Sequence, residues 1–351
     1  MKATIIQRQW VQEWFDERQS MHMPRLITLE DGTLLCSWTA GVMQWNGDPM
    51  ERDASVWVSR LEPGAERWSN PDAVGNDIRF GCHNGSFVRN RKGEILLLFA
   101  KFPGSGRNYD NWCDGNDKLW SRKSVDGGVT WQPARETNIP PMGLLSNDGV
   151  LLPNGEIIIS FTATDLEPKY YYGAIHVMKS YDDGETWVDT ALLTADNDIK
   201  VREPAITVLP NGDVQMFTRS CPPEIGWGIP DYKGILYAYK SVSHDNGNTW
   251  TKPAPSTITN NESKLDICVW DDSTLLMAYN NTQNIDWHDR SPLSLAYSKD
   301  WGETWNYLVE IAPPGGNKCQ PALCKGKDGR LNVVYMHRHT AVEHVVLELE
   351  D

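Results

Sequence analysis

The chain has 351 residues, 40% of them apolar and 23% charged, and its 33 basic and 47 acidic side chains leave a formal net charge of −14. The apolar share is too high for a disordered chain, and no apolar run is long enough to span a bilayer. There is no basic stripe of the kind that neutralises phosphates, so neither nucleic acid nor membrane is expected as a partner.

The first residues, Met1 to Trp10, lack the apolar segment and small-residue cleavage site of a secretory leader, which predicts a cytoplasmic protein. The Ala3–Trp10 stretch reads as a strand. Seven cysteines are scattered without any Cys-x-x-Cys pair, so reduced thiols are expected rather than a zinc or redox motif. No cofactor is called for.

Two repeat series then run along the chain. Ser124-Val-Asp126-Gly-Gly-Val-Thr-Trp131 recurs at Ser180–Trp187, Ser243–Trp250 and Ser298–Trp305, with tryptophan spacings of 56, 63 and 55 residues; a degenerate copy runs from Ser59 to Trp68. In such a turn Asp accepts hydrogen bonds from backbone amides, Gly supplies a positive φ, and Trp covers the strand end. In counterphase, tight turns between apolar strands fall at Asp31-Gly32, Lys92-Gly93, Asn154-Gly155, Asn211-Gly212, Asp272-Ser273 and Asp328-Gly329. No sustained 3.6-residue apolar period indicates a major helix. Six units of about four strands predict an all-β, six-bladed β-propeller using residues 1–351 as one domain, with the N-terminal strand completing the last blade. A β-helix fits less well, since its repeats are usually shorter and lack paired hairpins.

The Ser-x-Asp-x-Gly-x-Thr-Trp motif is the Asp box, and four good copies on six blades resemble the sialidase (neuraminidase) superfamily. Arg202-Glu-Pro-Ala-Ile, Arg290-Ser-Pro-Leu-Ser-Leu-Ala-Tyr-Ser and Glu343-His-Val-Val-Leu are most similar to its branch of predicted neuraminidases, or BNR-repeat proteins. The boxes lie on a propeller's periphery and speak to fold; function is carried near the axis. In sialidases the innermost strand of each blade carries the site at its start, eight or nine residues before the turn. The corresponding pairs here are His22-Met23, His83-Asn84, Leu145-Ser146, Arg202-Glu203, Ser263-Lys264 and Cys319-Gln320.

The resemblance implies that Glu203 stands where a sialidase keeps the glutamate that activates its nucleophile. It further implies that Arg219 and Arg290 grip a sugar carboxylate through fork-like bonds, with Arg202 and Arg25 nearby. His22 stands where the first arginine of the family triad is expected. Gln320 stands in place of the tyrosine nucleophile; glutamine cannot ionise, so ordinary retaining sialidase chemistry is not expected. The acid/base aspartate is implied on the 46–53 loop, where Asp48 and Asp53 are both candidates.

His22 and His83 occupy equal places in adjacent blades, near enough to share a ligand or a hydrogen bond, and a histidine suits proton transfer near neutral pH. His337 and His339 lie one residue apart in a strand, so at most one can face the mouth. Trp45, Trp112, Trp227 and Trp287 lie in long loops and could stack on sugar rings, with segments 102–116 and 221–234 as pocket walls. No metal site is expected. The expected partner is an acidic oligosaccharide, sialic or uronic. Three readings stay open: a hydrolase, a lyase with a histidine base, and a glycan-binding propeller without turnover.

Overall fold

The computed structural model describes residues 1–13, 19–42, 54–78, 80–103, 118–140, 143–163, 173–222, 234–286 and 288–350. Strand β1 (Lys2–Glu13) is followed by a first blade of β2 (Gln19–Thr28), β3 (Leu34–Val42), β4 (Ser55–Leu61) and β5 (Asp72–Gly75). The second comprises β6 (Phe80–Arg89), β7 (Ile95–Pro103), β8 (Lys118–Ser124) and β9 (Arg135–Glu136). In the third, β10 (Gly143–Leu145) and β11 (Val150–Leu151) both pair with β12 (Ile157–Ala163), which is followed by β13 (Ile175–Ser180) and β14 (Val188–Leu193). The fourth holds β15 (Lys200–Val208), β16 (Val214–Cys221), β17 (Tyr237–Ser243) and β18 (Ala254–Thr259). The fifth holds β19 (Asp266–Asp271), β20 (Thr274–Asn280), β21 (Leu293–Ser298) and β22 (Asn306–Ala312).

The sixth blade takes β23 (Lys318–Lys325), β24 (Leu331–His337) and β25 (Ala341–Glu350), and β1 is its outermost strand, pairing with β25 from Lys2↔Glu350 to Glu13↔Ala341. The inner strands meet in sequence: β2 touches β6, β6 touches β11, β11 touches β15, β15 touches β19, β19 touches β23, and β23 returns to β2. Six blades thus close a β-propeller, as the repeat period requires. Among the described residues no helix is long and apolar enough to cross a membrane.

The Asp boxes show why the sequence repeats as it does. Ser124 Oγ donates to Asp126 Oδ1 (2.8 Å) and accepts the Gly128 amide (2.7 Å), while Asp126 Oδ1 also takes the Thr130 amide (2.9 Å). Side-chain and backbone donors from Thr130 pull the Asp126 carboxyl down to about 2, and those of Thr249 do the same for Asp245. The box glycines are required twice over. Gly184 has φ +89°, and a Cβ there would lie 2.1 Å from Leu96 in the second strand of the preceding blade. Gly247 meets Ile158 and Gly302 meets Phe217 in the same way, at 2.4 and 2.7 Å. Each of these boxes is therefore a peg seated on the neighbouring blade, and apolar packing between blades forms the core.

A second repeated device shapes the axis. In β2 the pairing jumps from His22↔Thr39 to Arg25↔Ser37, three residues against two. The same bulge falls at His83/Ser86, Arg202/Ala205 and Cys319/Ala322. Its second residue is left-handed in every case: Met23 (φ 55°), Asn84 (55°), Glu203 (50°) and Gln320 (57°). Positive φ in non-glycine residues costs of order 1–3 kcal/mol each, and such strain gathers where side chains must be re-aimed. Neighbours hold the bulges in place: the Asn84 amide donates to Thr39 Oγ1 (3.0 Å), the Glu203 amide to Thr162 Oγ1 (2.9 Å), and the Met23 amide to Gln320 Oε1 (2.7 Å).

Candidate active site

The bulges gather the candidate residues at one end of the axis. Arg202 and Arg219 are directly paired across β15 and β16, so the bulged Glu203 turns toward Arg219, whose Nε lies 3.1 Å from Glu203 Oε2. Arg219 Nη1 donates to the Glu262 carbonyl (3.0 Å), and Arg202 Nη1 to Glu262 Oε1 (3.3 Å). Burial alone would raise the Glu203 carboxyl, but Arg219, then Arg290, Lys264 and His22, outweigh it and hold its pKa below the ordinary value. Glu203 is thus an ionised carboxylate in a cationic setting at neutral pH.

Arg290 precedes β21 and is nine-tenths buried; its Nε has no hydrogen-bond partner among the described residues. Its charge acts on His22, Glu203 and the Cys319 thiol, and that thiol is pushed up to about 11, chiefly by burial. The six cysteines among the described residues all carry free thiols.

His22 is only partly buried, and it meets Gln320: His22 Nε2 and Gln320 Nε2 are 2.7 Å apart. Burial, opposed by Glu203 and reinforced by Arg290, Arg25 and Arg219, drives the His22 pKa down to about 3, so the ring is neutral at physiological pH. His339 stacks on it with ring centroids 5.7 Å apart and planes at 10°. His337 turns the other way, onto Glu343 Oε2 (3.3 Å) and edge-on to Trp10. One of the two histidines thus joins the site, but not by strand alternation, which would set residues two apart on the same face: β24 ends at His337, and the positive φ of Arg338 (53°) and His339 (59°) turns the chain.

Other expectations are placed differently. Arg25 is wholly enclosed, donates from Nη1 to the Met23 and Pro24 carbonyls (3.1 and 2.8 Å), and is out of reach of any ligand arriving from solvent. Arg202 is 3% exposed and committed to Glu262. Gln320, also 3% exposed, spends one end of its amide on Met23 and the other on His22. His83 is 6% exposed at the matching place of the second blade. Asp48, Asp53, Trp45, Trp112, Trp227 and Trp287 lie outside the described residues.

Several contributors escaped sequence reasoning. Glu262 is one, and its own positive φ of 61° marks it. Thr39 and Thr162 are others; their shared signal is Ser-aromatic-Thr-Ala, at 37–40 and 160–163. Below the mouth, Lys264 is fully buried, donates to the Pro321 carbonyl, and is pushed down to about 8 by burial. Asp148, which accepts the Phe87 amide, is pushed up to about 7 by burial, and it lines an axial cavity of about 460 Å³ at the opposite end of the ring. Among the described residues no His/Cys/Asp/Glu group could hold a metal ion.

A six-bladed ring with Asp boxes and polar residues at the starts of its inner strands defines a sialidase-like propeller. Residues 32–333 match the BNR repeat-like domain, and the chain belongs to that family. A sialidase from Paraclostridium sordellii is 25% identical over 256 residues, covering 66% of this chain and 57% of that protein, so the chain spans little more than half of that relative's length. Among solved structures, a protein of unknown function from Dyadobacter fermentans superposes with a TM-score of 0.77 at 17% identity, covering 99% of both chains. The NanB sialidase of Streptococcus pneumoniae superposes at 0.73 and 14% identity, covering 97% of this chain and 70% of that one. At these identities the structural matches speak for the fold.

Proposed function

We propose that this sialidase-like protein is a glycoside hydrolase acting on an acidic-sugar glycan, sialic or uronic. The reading is carried by the positive charge about the mouth: Arg219, Arg290 and, from below, Lys264 bear on the Glu203 carboxylate and keep it ionised. An anionic sugar supplies further counter-charge, with Arg290, whose Nε has no acceptor among the described residues, as its first contact and Arg219 as its second. Glutamine at position 320 cannot form the glycosyl–enzyme bond that a tyrosine would. The chemistry is then a single displacement: one carboxylate takes a proton from the attacking water while a carboxylic acid protonates the leaving oxygen. Glu203, held ionised, suits the first role, and Asp48 or Asp53 the second.

The test is a screen of acidic and neutral oligosaccharides read by release of reducing ends and by ultraviolet absorbance. Reducing ends without absorbance are expected; a conjugated product would replace hydrolysis by elimination. A second reading, glycan binding without turnover, is favoured by Gln320, whose amide is already engaged at both ends. Affinity for acidic glycans with no product would establish it.

A further inference from the structure

We propose that Gln320 is a positioning residue that locks His22 as the neutral tautomer protonated on Nδ1. The orientation of the Gln320 amide is fixed by a group that has no choice. The Met23 backbone N–H can only donate, and the atom it meets at 2.7 Å is Gln320 Oε1. The other end of the amide is therefore its NH₂, which faces His22 Nε2 at 2.7 Å. An amide nitrogen accepts nothing, so the imidazole nitrogen must offer its lone pair, and the ring proton resides on Nδ1. An imidazolium would set N–H against N–H.

The surroundings agree. Burial disfavours a second proton on His22, Glu203 favours it, and Arg290, Arg25 and Arg219 oppose it. His339 is treated alike: Cys319 Sγ donates to Asn317 Oδ1 (3.0 Å), which leaves Asn317 Nδ2 to donate to His339 Nε2 (2.9 Å). Two side-chain amides three residues apart thus hold two stacked rings with their Nε2 lone pairs occupied. The same Gln320 fixes the strained bulge at Met23, so ring tautomer and backbone shape are set by one residue from the neighbouring blade.

The consequence for turnover rests on the proposed hydrolase reading. Within it, His22 is a hydrogen-bond donor through Nδ1–H and neither the acid nor the base, which leaves both proton transfers to carboxyl groups.

The lock is tested by ¹⁵N–¹H correlation spectra of ¹⁵N-histidine protein, with His22 assigned by its loss in His22→Gln. In the wild type, Nε2 should carry no proton and Nδ1 one, unchanged from about pH 5 to about pH 8. Gln320→Glu keeps an acceptor for Met23 but puts an anion on His22 Nε2. A carboxylate there can only accept, so the ring should carry a proton on Nε2 in this variant, the reverse of the wild-type pattern. A wild-type His22 that is protonated on Nε2, or that titrates within that range, overturns the proposal, as does a Gln320→Glu spectrum in which His22 is unmoved. If Gln320→Glu fails to fold by circular dichroism, the wild-type spectrum decides alone. Turnover of acidic oligosaccharides is followed in parallel. Its absence with the expected spectrum removes the hydrolase reading and leaves the lock, while turnover with Nε2-protonated His22 removes only the lock.

Discussion

Glu203 and Arg219 face each other across the inner two strands of the fourth blade, Nε to Oε2 at 3.1 Å, with side chains 13% and 3% exposed. Removing one member leaves the other as an uncompensated buried charge. Glu203→Gln is expected to lower unfolding free energy by about 3 kcal/mol, the cost of breaking such a pair. Urea denaturation at neutral pH measures it, and a change near zero would mean that the pair is solvated in solution.

The pH dependence of that loss has a definite sign. The Glu203 pKa lies below its ordinary 4.5 in the folded protein. Its contribution is therefore complete above about pH 4.5 and fades as pH falls through the folded value, where both states are protonated. Unfolding curves of wild type and Glu203→Gln should converge on acidification. Parallel curves down to pH 3 would contradict this.

Histidines act in the same direction at higher pH. His22 and His344 are held near 3 and 4, chiefly by burial, against an ordinary 6.5. The unfolded chain takes up these protons first, so stability falls as pH drops from about 6.5 toward 4. The slope is about 1.4 kcal/mol per pH unit for each group. His344→Asn should remove one proton from that slope; an unchanged slope would show that His344 already carries its proton in the folded state.

Arg290→Ala should weaken binding of an acidic oligosaccharide by about 10- to 100-fold, the worth of a charge-assisted hydrogen bond. Affinity for the neutral sugar of the same length should hold, by isothermal titration. Equal losses for both would show that Arg290 shapes the mouth and does not recognise charge.

A box glycine and a hairpin-turn glycine offer an internal control. Gly184 and Gly212 both have φ near +90°, but a Cβ at Gly184 strikes Leu96 while one at Gly212 meets nothing within 4 Å. Gly212→Ala should cost about 1 kcal/mol of backbone strain, and Gly184→Ala a further 1–3 kcal/mol of overpacking. Thermal or urea unfolding compares them directly; equal costs would refute the peg-and-seat contact.

The two repeat series made the blades legible because box and turn geometry depend on local chemistry, an Asp acceptor beside a glycine of positive φ. Glu203 and Arg219 were legible through spacing from the same turn. Arg25 was not: the resemblance set it near the carboxylate site, but the bulge at Met23 inserts one residue into the strand and resets the facing of everything after it. Glu262 escaped because the fifth blade lacks the register jump found at the start of its neighbours, so counting back from its turn lands on Ser263 and Lys264 instead. The stacking of His339 on His22 joins residues more than three hundred positions apart, and no local pattern records such a meeting.

The pairing of β1 with β25 also has a mechanical side. Because Lys2 lies opposite Glu350, the two ends emerge at the same edge of an antiparallel pair. Tension between them loads the outermost hydrogen bonds one after another, as in a zipper, instead of all at once in shear. The ring is thus closed by many residue pairs that act together against thermal motion but are met one at a time by a pull along this direction.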